Sequence, residues 1–227
     1  MPVFNPVLGH INKKEMLRYA GMRQSEDLPH AVIAAAAEDA LVYARPAGAW
    51  EIYDYQAPAL KIPGGDYLPQ SLKLCAHLRG AVKVAVLAVS VGGDIETRVN
   101  QLFAAGEYTK ALLLDAAADS AVEQAADSLC AFVASSVRAL GLGAGRRFSP
   151  GYGDWDIKEQ PRILELSGAA RIGLGATKSF MLAPRKSITA ALGLGFSMLP
   201  GKAGDACLYC ENAGCRLRRA KNDVEDV

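Results

Sequence analysis

Apolar residues recur three and four positions apart along 116–140, the spacing of one buried face on a long helix. Similar patterning predicts helices over 28–44, with an Ala-rich middle suited to close packing, and over 71–79, ended by Gly80. Asn12 is placed to cap a short helix over 13–20, with Gly21 as its stop. Large apolar and polar residues alternate from Trp50 to Tyr55, which marks a strand, and the β-branched run Val82 to Ser90 reads as a buried one. Gly92-Gly93 breaks that run, and Asp94 then caps a helix through Phe103. Residues 108–114 fit either a strand or the start of a helix. The stretch 141–154 is glycine-rich and reads as irregular, and 156–166 as a helix shortened or kinked by Pro161. Short strands are expected over 171–176, 180–183 and 188–196. Helices and strands intermix without regular alternation, and no internal repeat or low-complexity tract is present. The expectation is an α+β fold with a twisted, largely antiparallel sheet and flanking helices.

Composition narrows the function classes. Half of the 227 residues (51%) are apolar and 22% are charged, enough apolar surface to bury a core. Lys and Arg number 25 against 24 Asp and Glu, a formal net charge of +1. That balance speaks against nucleic acid or an anionic membrane surface as partner. The first ten residues have two prolines and no apolar core, so they do not read as a signal peptide. Apolar runs such as Val82 to Val91 fall well short of the roughly 20 residues of a membrane helix. The expected location is the cytoplasm.

Four strings carry candidate chemistry. Val89-Ser90-Val91-Gly92-Gly93-Asp94 joins a strand to a helix start, where free backbone N–H groups can hold a phosphate. It lacks the three spaced glycines of dinucleotide sites and the Lys of a P-loop, so a plain tight turn is the competing reading. In Arg147-Phe148-Ser149-Pro150-Gly151-Tyr152-Gly153-Asp154, Pro150 stiffens the chain, and Gly151 and Gly153 permit tight turning. Arg147 can then grip a carboxylate and Tyr152 can stack, unless the string is an ordinary surface turn. Thr177 to Thr189 sets hydroxyls and a cationic pair on a strand–turn–strand, either a pocket lining or an exposed hairpin.

The fourth string is Cys207-Leu208-Tyr209-Cys210, followed by Cys215. Three thiolates at this spacing suit one zinc ion or an iron–sulfur cluster. A redox pair at Cys207 and Cys210, or free thiols, are the alternatives. A fourth ligand would come from Cys75, Cys130, a histidine, water or a partner. His10, His30 and His77 stand in no ligand or triad spacing, and no nucleophile elbow or zinc-helix motif occurs. Asp94, Glu96, Asp115, Glu123 and Asp127 are candidate acid–base groups or solvated helix faces.

Taken together, the second and third strings resemble the activation domain of cobalamin-dependent methionine synthase. That family carries Arg-Pro-Ala-x-Gly-Tyr-Pro where S-adenosylmethionine binds, similar to Arg147 to Gly153 here. It also carries Thr-x-Ser-Phe-x-Met-x-Pro-x-x-Ser-Val-Ser-Gly, similar to Thr177 to Ala190. The resemblance covers about 116–195. The first hundred residues and the cysteine tail look like small stand-alone activation proteins of anaerobic bacteria. It implies an activation-like domain over 1–200 with a cysteine tail over 201–227. It also implies a synthase partner that carries the cobalamin and lacks its own activation domain, and an electron donor such as flavodoxin or ferredoxin. The implied work is reductive methylation of inert cob(II)alamin, with S-adenosylmethionine as methyl donor, so the protein positions while the cofactors react; the competing readings are a redox module that carries the electron on the cysteine cluster and a ligand-free docking subunit for a corrinoid protein. Arg147 matches the carboxylate-binding arginine, Tyr152 the loop tyrosine, and Ser149, Pro150 and Gly151 the loop between them. Asp127, or Glu123 one turn earlier, falls at the family's helical glutamate. The family's strand tyrosine falls at Leu192, and its early Asp-Trp segment has no counterpart.

Overall fold

A computed structural model describes residues 3–22, 28–199, 214, 215, 217 and 218. The chain runs β1 (Val3–Phe4), α1 (Lys13–Tyr19), α2 (His30–Tyr43), β2 (Ala47–Gln56), β3 (Ala59–Lys61), α3 (Leu72–His77), β4 (Lys83–Ser90), α4 (Asp94–Ala104) and α5 (Tyr108–Val137). It continues through β5 (Gly143–Phe148), α6 (Gln160–Ser167), β6 (Gly175–Ala176), β7 (Leu182–Ala183) and β8 (Ser187–Gly195). The main sheet has the order β1-β2-β4-β8-β5, with β3 also paired to β2, and every pairing in it is antiparallel. β6 and β7 form a separate two-stranded hairpin.

The centre of the sheet is buried on both faces, which explains the unbroken apolar run of β4. Ala85, Leu87 and Val89 point into one core with α1, α2, α4 and α5. Val84 and Val86 point into the other, with Leu74 and Leu78 around α3 and Ile163 and Leu166 of α6. Alternation along β2 splits the same way: Trp50 joins the first core, while Tyr53 and Tyr55 join the second. The Tyr53 hydroxyl donates to the Leu166 carbonyl at 2.8 Å, so burial there leaves that polar atom satisfied.

α5 is the first core's main wall. Its buried face is mostly small, from Ala111 through Ala116, Ala117, Ala121, Ala125 and Ala126, so neighbouring backbones approach closely. The segment 108–114, open in sequence, is the first two turns of this helix. Asn12 caps α1 as expected, its side chain accepting from the Glu15 N–H at 3.1 Å. Ser71 caps α3 in the same way.

Three expectations are corrected. The 141–154 stretch is not irregular throughout, because β5 pairs with β8 and its glycines admit Met198: a Cβ at Gly143 would lie 2.2 Å from the Met198 carbonyl oxygen. Residues 171–176 begin with the end of a 3-10 turn, Ala169–Ile172, set between left-handed Gly168 and Gly173, and are strand only at Gly175–Ala176. Gly93, not Asp94, is the N-cap of α4, and Asp94 lies in its first turn, 3.8 Å from Arg45. Among the described residues no helix is long and apolar enough to cross a membrane.

Candidate functional site

Arg147 reaches the α5 side of the sheet through an irregularity in β5. Ala144 pairs with Leu194, but Arg147 pairs with Leu192, so β5 spends three steps where β8 spends two. In an unbroken strand, residues at odd spacing face opposite sides. The extra residue lets Ala144 and Arg147 both turn toward α5, as β-bulges re-aim side chains elsewhere.

There the Arg147 guanidinium meets two carboxylates one helical turn apart. Its Nη2 lies 2.6 Å from Glu123 Oε2 and 2.8 Å from Asp127 Oδ1. The Arg147 side chain is 20% exposed, against 38% and 44% for its partners. Burial alone would lower the guanidinium, but the two carboxylates outweigh it and raise it above its ordinary value. The other terminal nitrogen, Nη1, is buried and has no hydrogen-bond partner. Cys130, on the same side of α5, is pushed up to about 11 by burial, so it remains a neutral thiol. The Tyr19 phenol on α1 is likewise raised, by burial first and then by Glu123.

The loop after β5 is tightly organised. Gly151 N–H donates to the Trp155 carbonyl at 2.7 Å, Tyr152 N–H to Ser149 at 3.0 Å, and Trp155 N–H to Tyr152 at 3.0 Å. Gly151 has φ +91, a conformation that glycine adopts without a steric penalty. Pro150 is buried, and Trp155 plugs the second core at 1% exposure, stacked on Phe148. Asp154 fastens the far end to α3: it accepts from Ser71 Oγ at 2.5 Å and from the N–H groups of Leu72 and Lys73 at 2.9 and 3.1 Å. The Ser71 hydrogen bond, aided by those N–H groups, holds its carboxyl below the usual range. Tyr152 is left half-exposed, its ring edge-on to Phe148 at 6.0 Å.

Sequence reasoning picked out Arg147, Tyr152, Glu123 and Asp127, and the fold brings Arg147 onto both carboxylates at once. It missed Asp154 and Trp155 as anchors. It also missed Asp119, which completes a row of α5 carboxylates at every fourth residue: Asp115, Asp119, Glu123 and Asp127. Lys186 Nζ meets the first two at 3.0 and 2.8 Å and is only 10% exposed. Asp119 is raised by burial even against that lysine. The acidic period of four on an Ala-rich helix was the available signal. The Thr177–Thr189 string forms the turn of the β6–β7 hairpin, β7 and the start of β8, and Lys178 is exposed on that turn. His77 accepts a structural role, 2.7 Å from the Arg146 carbonyl, and burial lowers it. Leu192, where the resembled family has tyrosine, is core at 1% exposure. Cys207 and Cys210 lie outside the described residues; Cys215 lies within them and is half-buried. Among the described residues no three potential metal ligands come together.

No family model matches the sequence, and no curated protein does. Among solved structures, the chain is similar to the crystal structure of the MetH reactivation domain bound to AdoHcy. The TM-score is 0.59 at 15% identity, over 85% of this chain and 78% of that one. The chain therefore shares that domain's α+β fold.

Proposed function

We propose that this chain supports reactivation of a cobalamin-dependent methionine synthase, by holding S-adenosylmethionine at Arg147. The partner is a synthase that carries the cobalamin and lacks its own activation domain. The observation that carries the reading is the Arg147 fork, with one nitrogen committed to two carboxylates and the other buried without a partner. An α-amino-acid end is the complement of that arrangement: its carboxylate accepts from Nη1, and its ammonium donates to Glu123 or Asp127. A buried unpaired donor costs about 1–3 kcal/mol, which a ligand carboxylate there would recover. Ser149, Pro150 and Gly151 hold the loop, and Tyr152 offers a ring face beside it. The similar fold, solved with AdoHcy bound, supports a nucleoside-bearing amino acid as the class of ligand.

The bound donor supplies the methyl group that restores the partner's cobalt, with an electron from flavodoxin or ferredoxin. This chain's residues orient the donor and keep its charged end out of bulk water. The large share of catalysis that positioning can supply explains a site without a nucleophile or general base. The test is anaerobic mixing of the protein with its partner synthase in the cob(II)alamin state, with S-adenosylmethionine and a reductant. Loss of the cob(II)alamin band that depends on this chain is the expected result. The same rate with and without it would overturn the reading.

A further inference from the structure

The charges around Arg147 do not balance pairwise. One guanidinium nitrogen lies 2.6 Å from Glu123 Oε2 and 2.8 Å from Asp127 Oδ1, so a single positive charge serves two carboxylates. Burial pushes the Cys130 thiol up to about 11 and raises the Tyr19 phenol, so both stay neutral at neutral pH. Two nearby cations are committed elsewhere: Lys186 to Asp115 and Asp119 at 3.0 and 2.8 Å, and Arg18 to Glu15 at 2.7 Å. The Lys186 cluster has the same count, but no buried side-chain atom in it lacks a partner, whereas Arg147 Nη1 does. The α-amino-acid end proposed above satisfies Nη1 without changing the sum, because its own carboxylate and ammonium cancel. With that end bound, three carboxylates face two cations, the guanidinium and the ammonium.

We propose that the Glu123–Asp127 pair reads the sulfonium charge of the ligand, so that the chain binds S-adenosylmethionine in preference to S-adenosylhomocysteine; this rests on the reading of Arg147 as the methyl-donor site. The two ligands share the amino-acid end, the ribose and the adenine. They differ by one methyl group and the positive charge it places on sulfur. That sulfur stands two methylenes from the α-carbon, and the two carboxylates stand one turn apart on α5, about 6 Å along its axis. Whichever carboxylate takes the ammonium, the other is left within reach of the sulfonium, and three carboxylates then face three cations. S-adenosylhomocysteine leaves one carboxylate covered by ligand but without a countercharge, and that difference sets the preference. At 38% and 44% exposure the carboxylates remain partly screened by water. A unit-charge contact in such a half-exposed place favours the charged ligand about tenfold.

The experiment is isothermal titration of the full-length protein with S-adenosylmethionine, S-adenosylhomocysteine and sinefungin at low salt. Sinefungin has an ammonium-bearing carbon in place of the sulfonium, so it keeps the charge without the methyl group. S-adenosylmethionine and sinefungin should both bind about tenfold tighter than S-adenosylhomocysteine, and the gap should narrow at high salt. Equal affinities for S-adenosylmethionine and S-adenosylhomocysteine would overturn the proposal while leaving donor binding at Arg147 standing, and so would sinefungin that binds like S-adenosylhomocysteine. No binding of any of the three would overturn both readings. Variants shown folded by their melting curves locate the effect. At least one of Glu123→Gln and Asp127→Asn should bring the ratio of the two affinities close to one, whereas a merely structural role would weaken both ligands alike and leave the ratio as it was. Glu165→Gln removes the same charge from α6, on the other face of the sheet, and should leave the ratio at its wild-type value. A ratio that moves equally in all three variants would assign the preference to the overall field of the protein and overturn the role of the pair.

Discussion

Replacing Arg147 with Gln tests the proposed site most directly. Two effects follow, and their sizes come from the geometry. The ligand's carboxylate loses a charge-assisted hydrogen bond, worth about 1.5–3 kcal/mol. That corresponds to roughly a tenfold to hundredfold weaker affinity. The protein also loses the cation between Glu123 and Asp127, which sit 2.6 and 2.8 Å from it. Breaking a fully buried pair costs about 3–5 kcal/mol, and breaking an exposed one about 0–1. With the carboxylates 38% and 44% exposed, water takes over much of their solvation, and about 1–2 kcal/mol of lost stability is expected. The control is Lys178→Gln, which removes one positive charge from the exposed hairpin turn without touching α5. Isothermal titration with S-adenosylmethionine at low salt, on protein shown folded by its melting curve, gives both affinities. Equal affinities for the two variants would take Arg147 out of the binding site.

Two further outcomes are specific. Asp154→Asn should lower the melting temperature most at neutral pH. A carboxyl held below its ordinary value near about 3.9 stabilises above that value and ceases to do so as pH falls through its lowered one. The gap between wild type and variant therefore closes in acid, and a gap that persists at the acid end would contradict the capping role. Gly195→Ala should cost about 3 kcal/mol in urea unfolding at unchanged slope, because the new Cβ would lie 2.3 Å from the Gly80 carbonyl oxygen. Gly175→Ala, with nothing within 4 Å, should be nearly silent, and similar costs for both would show that the backbone yields.

The helices and the central strands were readable because their signals are local. Asn12 and Ser71 announce their helices, and the run Val82 to Ser90 announces a strand with two buried faces. Arg147 and its loop were also readable, as residue types and as a resemblance. Features fixed by tertiary pairing were not. β5 looks irregular because Gly143 and Gly145 exist to admit Met198, which is distant from neither in space but carries no local strand pattern. β1 and β3 are two and three residues long, and only their pairing with β2 makes them strands. Lys186 reads as a surface charge in a hairpin, yet two α5 carboxylates draw it to 10% exposure.

One face of α5 governs the geometry of the site more than the loop does. Asp115, Asp119, Glu123 and Asp127 run along about 18 Å of helix at its usual rise per residue. The first pair takes Lys186, which immediately precedes β8, and the second takes Arg147 of β5. β5 and β8 are neighbours, but their register slips between Ala144 and Arg147, so strand pairing alone does not determine which way Arg147 points. The bulge makes the α5 side accessible to it, and the second carboxylate pair fixes it there. The Lys186 pair performs the same service where β8 begins, beside the hairpin. A helix that holds two adjacent strands through separate ion clusters keeps the arginine fork in place before any ligand arrives. If the chain positions a methyl donor as proposed, that preorganisation is what the role needs, because effective molarity depends on holding the reacting groups to a fraction of an ångström.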